Sequence, residues 1–134
     1  MLINVICYTK KNIVCKMIQI PSYRGVVMIG TIVKVIVDRP LGSFHPKYKD
    51  MFYLVNYGFI EGIIAPDGEE QDAYILGVDV PVKEFVGKII AIIHREDDVE
   101  EKWVVVPEHT DFTKEEIIEQ VRFQEKYFKS EVRM

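Results

Sequence analysis

Apolar residues recur along the chain in short runs that are rich in β-branched and aromatic side chains, the composition that favours strands. We predict strands over the following runs: Ile3–Thr9, Ile13–Ile20, Thr31–Val37, Met51–Ile60, Ala73–Val78, Lys88–His94 and Lys102–Val106. Turn sequences such as Pro66-Asp67-Gly68 separate them. Gly58, inside one of these runs, predicts a bulge or a close approach of two backbones. Several short strands at this spacing predict a closed or partly closed β-barrel, because closure removes exposed sheet edges.

A helical pattern lies at the end of the chain. Thr113 and Glu116 have the spacing of a capping box, in which each side chain accepts a hydrogen bond from the backbone of the other residue. Apolar residues then follow at helical spacing: Ile117, Val121, Phe128 and Val132. We therefore predict a helix over residues 113–132 that packs across the outside of the barrel.

Length and composition exclude several classes of protein. The chain has 134 residues, enough for one domain with one core. Hydrophobic residues make up 49% and charged residues 28%, which is not the composition of a disordered chain. No apolar run reaches the roughly 18 residues of a membrane-spanning helix. The net charge of −4 disfavours nucleic-acid binding, since nucleic-acid-binding domains usually carry a basic face.

The beginning of the chain and its cysteines bear on location. The first residues are apolar before their lysines, the reverse of a secretory signal. Cys7 and Cys15 are too few for a disulfide framework or a zinc site. We therefore expect a cytoplasmic protein that does not associate with membranes.

Any carboxylate ligand for a cation must lie after residue 37, because residues 1–37 contain no Asp or Glu. Asp67, Glu69 and Asp72 surround a glycine turn at spacings i, i+2 and i+5. Such a turn can bring three carboxylates together as oxygen ligands for a hard cation such as Mg²⁺. A solvated acidic turn gives the same pattern.

The order of motifs over residues 28–134 resembles that of the soluble, magnesium-dependent inorganic pyrophosphatases of family I. The segments that carry the resemblance are Tyr53–Ile60, the Asp67–Asp72 turn, Lys102–Pro107 and Phe123–Lys129. The resemblance implies a mainly β fold of the α+β class, a five-stranded OB-type β-barrel with a C-terminal helix packed outside. Residues 1–27 fall outside the resemblance and form either an N-terminal extension or an added β-hairpin that completes the barrel edge.

The same resemblance implies a reaction, the hydrolysis of inorganic pyrophosphate to two phosphates by water that Mg²⁺ activates. The residues that it assigns are Asp67, Asp72, Asp97 and Glu100 as metal ligands, Glu69 and Tyr57 as catalytic groups, and Lys34, Lys102, Tyr127 and Lys129 as substrate ligands. The family often forms homo-oligomers, so we expect one here.

The chain departs from the family pattern at several of these positions. Glu69 replaces an aspartate, and moving a carboxylate by about 1 Å can lower a rate by about 10²-fold. Ile36 lies where the family has an acid, and His45 lies nearest to the position of an arginine. Arg95 replaces an aspartate, and Phe128 replaces a lysine. These losses support an alternative, a catalytically impaired homologue that acts as a phosphate- or nucleotide-binding or interaction module. A single-stranded nucleic-acid binder is a third reading, which the negative charge disfavours.

Overall fold

The computed structural model describes residues 29–96 and 100–134. In these ranges the chain forms strands and a helix in this order: β1 (Ile32–Arg39), β2 (Asn56–Ile64), β3 (Glu70–Ile75), β4 (Glu84–Arg95), β5 (Glu101–Val106), α1 (Lys114–Glu125) and β6 (Ser130–Arg133). No helix in the described ranges has the length and apolar character needed to cross a membrane. The predicted strands Ile3–Thr9 and Ile13–Ile20 lie outside the described residues, so the division of the chain at residue 27 stays a prediction.

Five strands close into a barrel. Their order is β1-β2-β3-β5-β4, and β4 pairs back to β1. The pairings are antiparallel except the one between β3 and β5, which is parallel. Strand β4 has 12 residues, and this length lets it pair with β1 through its first half and with β5 through its second half. The predicted five-stranded OB-type barrel is therefore confirmed.

Alternate residues of the barrel strands belong to two separate apolar clusters, since successive side chains of a strand point to opposite faces. All five barrel strands contribute to one cluster, which includes Ala73 and Trp103 and fills the barrel interior. The other cluster contains the neighbouring residues Tyr74 and Val104 together with Ile117 of the helix. Residues two positions away from Tyr74 or Val104 point to the same side of the sheet. They therefore lie on the outer face of the barrel, which α1 covers.

Helix α1 begins where the sequence predicts and ends earlier. The Thr113 side chain accepts from the Glu116 N–H at 3.1 Å and the Glu116 carboxylate accepts from the Thr113 N–H at 2.8 Å. The helix ends at Glu125, so the prediction of a helix to residue 132 is wrong in its last turns. Residues 130–133 form β6 instead and pair with the end of β4, which would otherwise leave a sheet edge unpaired there. Val132 is buried in this strand, so its apolar character fits a strand as well as a helical stripe.

Gly58 lies where β1 and β2 come closest. Strand β2 starts at Asn56, later than the predicted Met51–Ile60 run, and Gly58 pairs with Val37. A Cβ atom added to Gly58 would collide with the backbone carbonyl oxygen of Ile36. The predicted close approach of two backbones is confirmed, and it holds the end of β1 against β2.

We expect Gly58→Ala to lower the free energy of unfolding by about 1–3 kcal/mol, because the two strands must move apart to admit a methyl group. Urea unfolding measures this loss as a lower midpoint. Glu61→Ala, on an exposed position of the same strand, is the control and should change the stability by no more than about 0.5 kcal/mol. Equal midpoints for the two variants would contradict the close packing.

Candidate active site

A buried lysine, Lys102 on β5, organises the charged side chains on the outer face of the barrel. Its Nζ lies 2.6 Å from Asp72 Oδ2 and 2.7 Å from Glu100 Oε2. The lysine side chain is 4% exposed, while those of Asp72 and Glu100 are 34% and 30% exposed. Burial alone would lower the pKa of Lys102, but Tyr57 and the two carboxylates outweigh it and raise that pKa. Lys102 is therefore a permanently charged group held between two acids.

The register of the sheet produces this arrangement. The parallel pairing of β3 with β5 sets Ala73 opposite Trp103, so the preceding residues, Asp72 and Lys102, are neighbours on the other face. Glu100 precedes Lys102 by two residues and reaches the same face from the start of β5. Two acids that are distant in sequence thus meet at one cation.

Tyr57 forms one wall of the site and lies against two cations. Lys102 Nζ is 5.6 Å from the centre of its ring, and the Arg39 guanidinium carbon is 5.5 Å from it. Arg39 also donates a hydrogen bond of 2.7 Å to the Tyr53 hydroxyl. Burial raises the pKa of the Tyr57 hydroxyl, so this group stays protonated and can donate at neutral pH.

Arg39 is not among the residues that the motif resemblance assigns. The resemblance places the family's arginine nearest to His45. The structure gives His45 another role, since its Nδ1 accepts from the backbone N–H groups of Lys47 and Tyr48 at 2.9 and 3.2 Å. A shift of register at the end of β1 lies directly before Arg39, at the point where the chain reaches the tyrosines. The sequence signal for Arg39 is its position at the end of a strand, next to Pro40.

A chain of alternating charges continues from this cluster beneath the helix. Arg95 donates to Glu100 Oε1 at 3.2 Å and to both carboxylate oxygens of Glu125 at 3.1 and 2.7 Å. The side chains of Arg95 and Glu125 are each 6% exposed. The order is Asp72, Lys102, Glu100, Arg95 and Glu125, so each charge has a neighbour of opposite sign. Buried charges are tolerated when they are paired in this way.

Hydrogen bonds join the last turn of α1 to the tyrosines. Tyr53 donates to Gln124 at 2.6 Å, Gln124 donates to the Tyr74 hydroxyl at 2.7 Å, and Tyr74 donates to Glu125 at 2.6 Å. Because Arg39 donates to Tyr53, an unbroken path of hydrogen bonds connects Arg39 with Glu125. The helix end is therefore part of the scaffold that supports the site.

Two replacements in the family pattern contact each other. Arg95 lies where the resemblance has an aspartate, and Phe128 lies where it has a lysine. The guanidinium carbon of Arg95 is 3.6 Å from the centre of the Phe128 ring, a cation–π contact. The two replacements thus stabilise each other in this chain.

The predicted acidic residues are not all brought together. Asp67 and Glu69 lie in the exposed turn of the β2–β3 hairpin, where Asp67 Oδ1 accepts from the Glu69 N–H at 2.9 Å. Asp72 pairs with Phe59 of β2, and the pairing of the two strands extends further, to Ile64 and Glu70. The turn lies beyond that last pair and is therefore separated from Asp72 along the hairpin. The expected convergence of the three acids is not seen, and Asp97 lies outside the described residues. The assigned roles of these residues stay predictions.

The other predicted substrate ligands contact residues that do not belong to the Lys102 cluster. Lys34 pairs with Glu84 at 3.5 Å and with Glu61 at 3.9 Å. Tyr127 is 61% exposed, and Lys126 Nζ lies 5.3 Å from the centre of its ring. Lys129 is exposed, and its backbone carbonyl accepts from the Glu96 N–H at 2.8 Å.

The described part of the chain contains no group of three or more Asp, Glu, His or Cys side chains that could hold a metal ion. It does contain two carboxylates that converge on one cation, since Asp72 and Glu100 both contact the Lys102 ammonium. Mg²⁺ is usually bound by one or two carboxylates, with water and substrate phosphates as its other ligands. The Asp72–Glu100 pair therefore fits the number of carboxylate ligands that a magnesium ion takes from a protein.

Comparisons with known proteins agree with this fold. The family model described as inorganic pyrophosphatase matches residues 15–133, further toward the N terminus than the motif resemblance reaches. No curated protein matches the chain.

The chain is similar to three solved inorganic pyrophosphatases. The structure from Ehrlichia chaffeensis is 19% identical with a TM-score of 0.59, covering 83% of this chain and 90% of that one. The structure from Coxiella burnetii is 19% identical with a TM-score of 0.55, covering 78% and 84%. The structure from Thermus thermophilus is 18% identical with a TM-score of 0.53, covering 86% of each chain. At these identities the similarity establishes the fold.

The buried Arg95–Glu125 pair predicts how stability depends on pH. Desolvation alone would raise the pKa of Glu125, but hydrogen bonds from Arg95, Ser130 and Tyr74 outweigh it and lower that pKa below its ordinary value of 4.5. The stabilisation is therefore complete above pH 4.5 and is lost as the pH falls through the folded-state pKa. We expect Glu125→Gln to cost about 3 kcal/mol at neutral pH, because Arg95 loses its buried partner.

Urea unfolding at neutral and acidic pH measures this cost. The difference between wild type and Glu125→Gln should narrow on acidification, since the wild-type carboxylate then becomes protonated as well. Glu119→Gln, in the exposed pair with Arg122, is the matched control and should remain close to wild type. A Glu125→Gln cost that does not change with pH would show that the charge of Glu125 is not what stabilises the fold.

Proposed function

The chain belongs to the inorganic pyrophosphatase family, and from that premise we propose that it hydrolyses inorganic pyrophosphate to two phosphates at the Lys102 cluster. The observation that carries the proposal is the meeting of Lys102 with Asp72 and Glu100 beside Tyr57 and Arg39. Phosphoryl transfer depends mainly on positioning and on neutralising the negative charge of the phosphates. This cluster offers cations, a hydroxyl donor and carboxylates for a metal on one face of the barrel.

We propose Mg²⁺ as the cofactor, with Asp72 and Glu100 as the ligands that the described residues offer. When bound, the ion polarises phosphoryl oxygens and makes water nucleophilic at neutral pH. Asp67 and Asp97 remain further ligands that the resemblance implies, and Glu69 remains the group that orients the attacking water. A glutamate can accept the same proton as an aspartate, although its carboxylate lies one methylene further from the backbone.

The substrate contacts that we propose are those of Lys102, Arg39 and Tyr57. Lys102 offers a compact charge, while Arg39 offers a planar fork of N–H donors that matches a phosphate in two hydrogen bonds. Tyr57 keeps its proton and donates to a phosphate oxygen. Lys34, Tyr127 and Lys129 remain substrate ligands implied by the resemblance alone. A cytoplasmic location and a homo-oligomer also remain predictions.

Asp72→Asn tests the proposed metal ligand. We expect magnesium-dependent phosphate release from pyrophosphate to fall about 10²–10³-fold, the usual cost of removing one electrostatic group from an active site. Asp111→Asn is the matched control, because Asp111 pairs with Lys88 at 3.2 Å in an exposed position. Chelation should abolish wild-type release and added Mg²⁺ should restore it.

Equal phosphate release by wild type and Asp72→Asn would contradict the proposal. Saturable binding of pyrophosphate without release would instead indicate the alternative function, an impaired homologue that keeps only a phosphate-binding site.

Arg39→Lys tests the proposed phosphate contact. The variant keeps the charge but loses the planar fork, so we expect the KM for pyrophosphate to rise about tenfold with a smaller change in kcat. Arg122→Lys, on the exposed face of α1, should leave both constants unchanged. An unchanged KM for Arg39→Lys would place the substrate elsewhere.

A further inference from the structure

The hydrogen-bond path between Arg39 and Glu125 passes through two tyrosines and one amide. Arg39 Nη1 donates to the Tyr53 hydroxyl at 2.7 Å, and Tyr53 donates to Gln124 Oε1 at 2.6 Å. Gln124 Nε2 donates to the Tyr74 hydroxyl at 2.7 Å, and Tyr74 donates to Glu125 Oε2 at 2.6 Å. Tyr53, Tyr74 and Gln124 are buried, so these bonds are shielded from water.

The chemistry of the two ends fixes the direction of every bond in this path. A guanidinium has N–H donors and no acceptor, while an ionised carboxylate only accepts. Glu125 is held ionised by Arg95, which donates to both of its oxygens. Tyr74 therefore donates to Glu125 and leaves its lone pairs for the Gln124 N–H. The Gln124 carbonyl oxygen then faces Tyr53, so Tyr53 donates its proton there and offers only lone pairs to the guanidinium.

Gln124 is the member of the path that makes the Tyr53 hydroxyl a good acceptor. A hydroxyl that donates one hydrogen bond is polarised and accepts another more strongly. Without the Gln124 carbonyl, the Tyr53 proton would be free to turn toward the guanidinium, where it would oppose the bond from Arg39. An amide serves here because it accepts from one tyrosine and donates to the other.

The guanidinium of Arg39 depends on the bond to Tyr53 for its orientation. Its central carbon lies 5.7 Å from the ring centre of Tyr53 and 5.5 Å from that of Tyr57, contacts that attract the charge but permit rotation. The hydrogen bond is directional and selects one orientation. A planar fork binds a phosphate in two hydrogen bonds only when it faces the phosphate correctly.

We propose that Gln124 is a positioning residue for Arg39: through Tyr53 it fixes the guanidinium in the orientation that receives a diphosphate, while Glu125 anchors the far end of the path. This role rests on the proposed function, which assigns Arg39 to phosphate. Gln124 itself is buried in the last turn of α1 and does not touch the substrate. Loss of its amide therefore weakens diphosphate binding and leaves the chemical step almost unchanged.

Rotation of the Arg39 guanidinium, measured by nuclear magnetic resonance of the arginine side-chain nitrogens, tests this role without turnover. We expect slow rotation in wild type and severalfold faster rotation in Gln124→Met, which removes the amide and keeps an unbranched side chain of similar length. Gln120→Met makes the same change one turn earlier on α1, at a partly exposed position, and should match wild type. Arg122, in its exposed pair with Glu119, gives the reference for fast rotation in each chain.

Binding and kinetics show whether Gln124 acts through Tyr53. We expect Gln124→Met to weaken the binding of imidodiphosphate, an unhydrolysed diphosphate, about tenfold in the presence of Mg²⁺. The KM for pyrophosphate should rise by a similar factor with little change in kcat. Tyr53→Phe removes the acceptor altogether, so adding Gln124→Met to it should weaken binding no further. A second, additive loss would show that Gln124 acts by another route and would overturn the proposal.

A neutron structure of the wild-type chain covers the case in which the variants do not fold, because it locates the deuterium atoms directly. We expect the Tyr53 deuteron to lie toward Gln124 Oε1 and the Tyr74 deuteron toward Glu125 Oε2. A Tyr53 deuteron on the Arg39 side would overturn the proposal.

These outcomes separate the positioning role from the proposed function. Rotation of Arg39 that Gln124→Met does not change, together with normal phosphate release by wild type, would reject the role and keep the hydrolase. Rotation and imidodiphosphate binding that depend on Gln124, in a chain that releases no phosphate, would keep the role and reject hydrolysis. A wild-type chain that binds no imidodiphosphate would overturn both.

Discussion

The buried ammonium of Lys102 imposes the constraint on which the rest of the site depends. A lysine that is almost fully buried must have anionic partners, and here it has Asp72 from β3 and Glu100 from the start of β5. Since Glu100 also binds Arg95, and Arg95 binds Glu125, the requirement extends to the end of the helix. One charged side chain thus ties together two strands and the helix that covers them.

The barrel makes such a cluster possible by separating two faces. The interior is filled by apolar side chains from all five strands, so it has no room for charged groups. The outer face beneath α1 is mixed, with Tyr74 and Val104 in the apolar cluster and Asp72 and Lys102 next to them along the same strands. On this face the Lys102 side chain is buried, whereas those of Asp72 and Glu100 remain partly exposed and so stay open to a ligand. This position gives them both strong pairing and access.

Local patterns predict much of the fold and less of the site. The capping box at Thr113 and the close approach at Gly58 depend on a few neighbouring atoms, and the sequence predicts both. The end of α1 depends on a tertiary requirement, the pairing of β6 with the end of β4, which helical spacing does not contain. The position of Arg39 depends on a register shift in β1, and that of Glu69 on how far the β2–β3 hairpin continues. A resemblance of motifs therefore assigns residue types to a site more reliably than it assigns contacts.

The proposed function requires that metal and diphosphate bind at the cluster of Asp72, Lys102 and Glu100. A crystal structure of the chain with Mn²⁺ and imidodiphosphate tests this claim most directly, because the anomalous signal locates the metal independently of the protein. We predict a manganese ion bound by the carboxylates of Asp72 and Glu100, and a diphosphate in contact with Lys102 and Arg39. A diphosphate bound elsewhere, with no metal at Asp72 and Glu100, would contradict the proposed function.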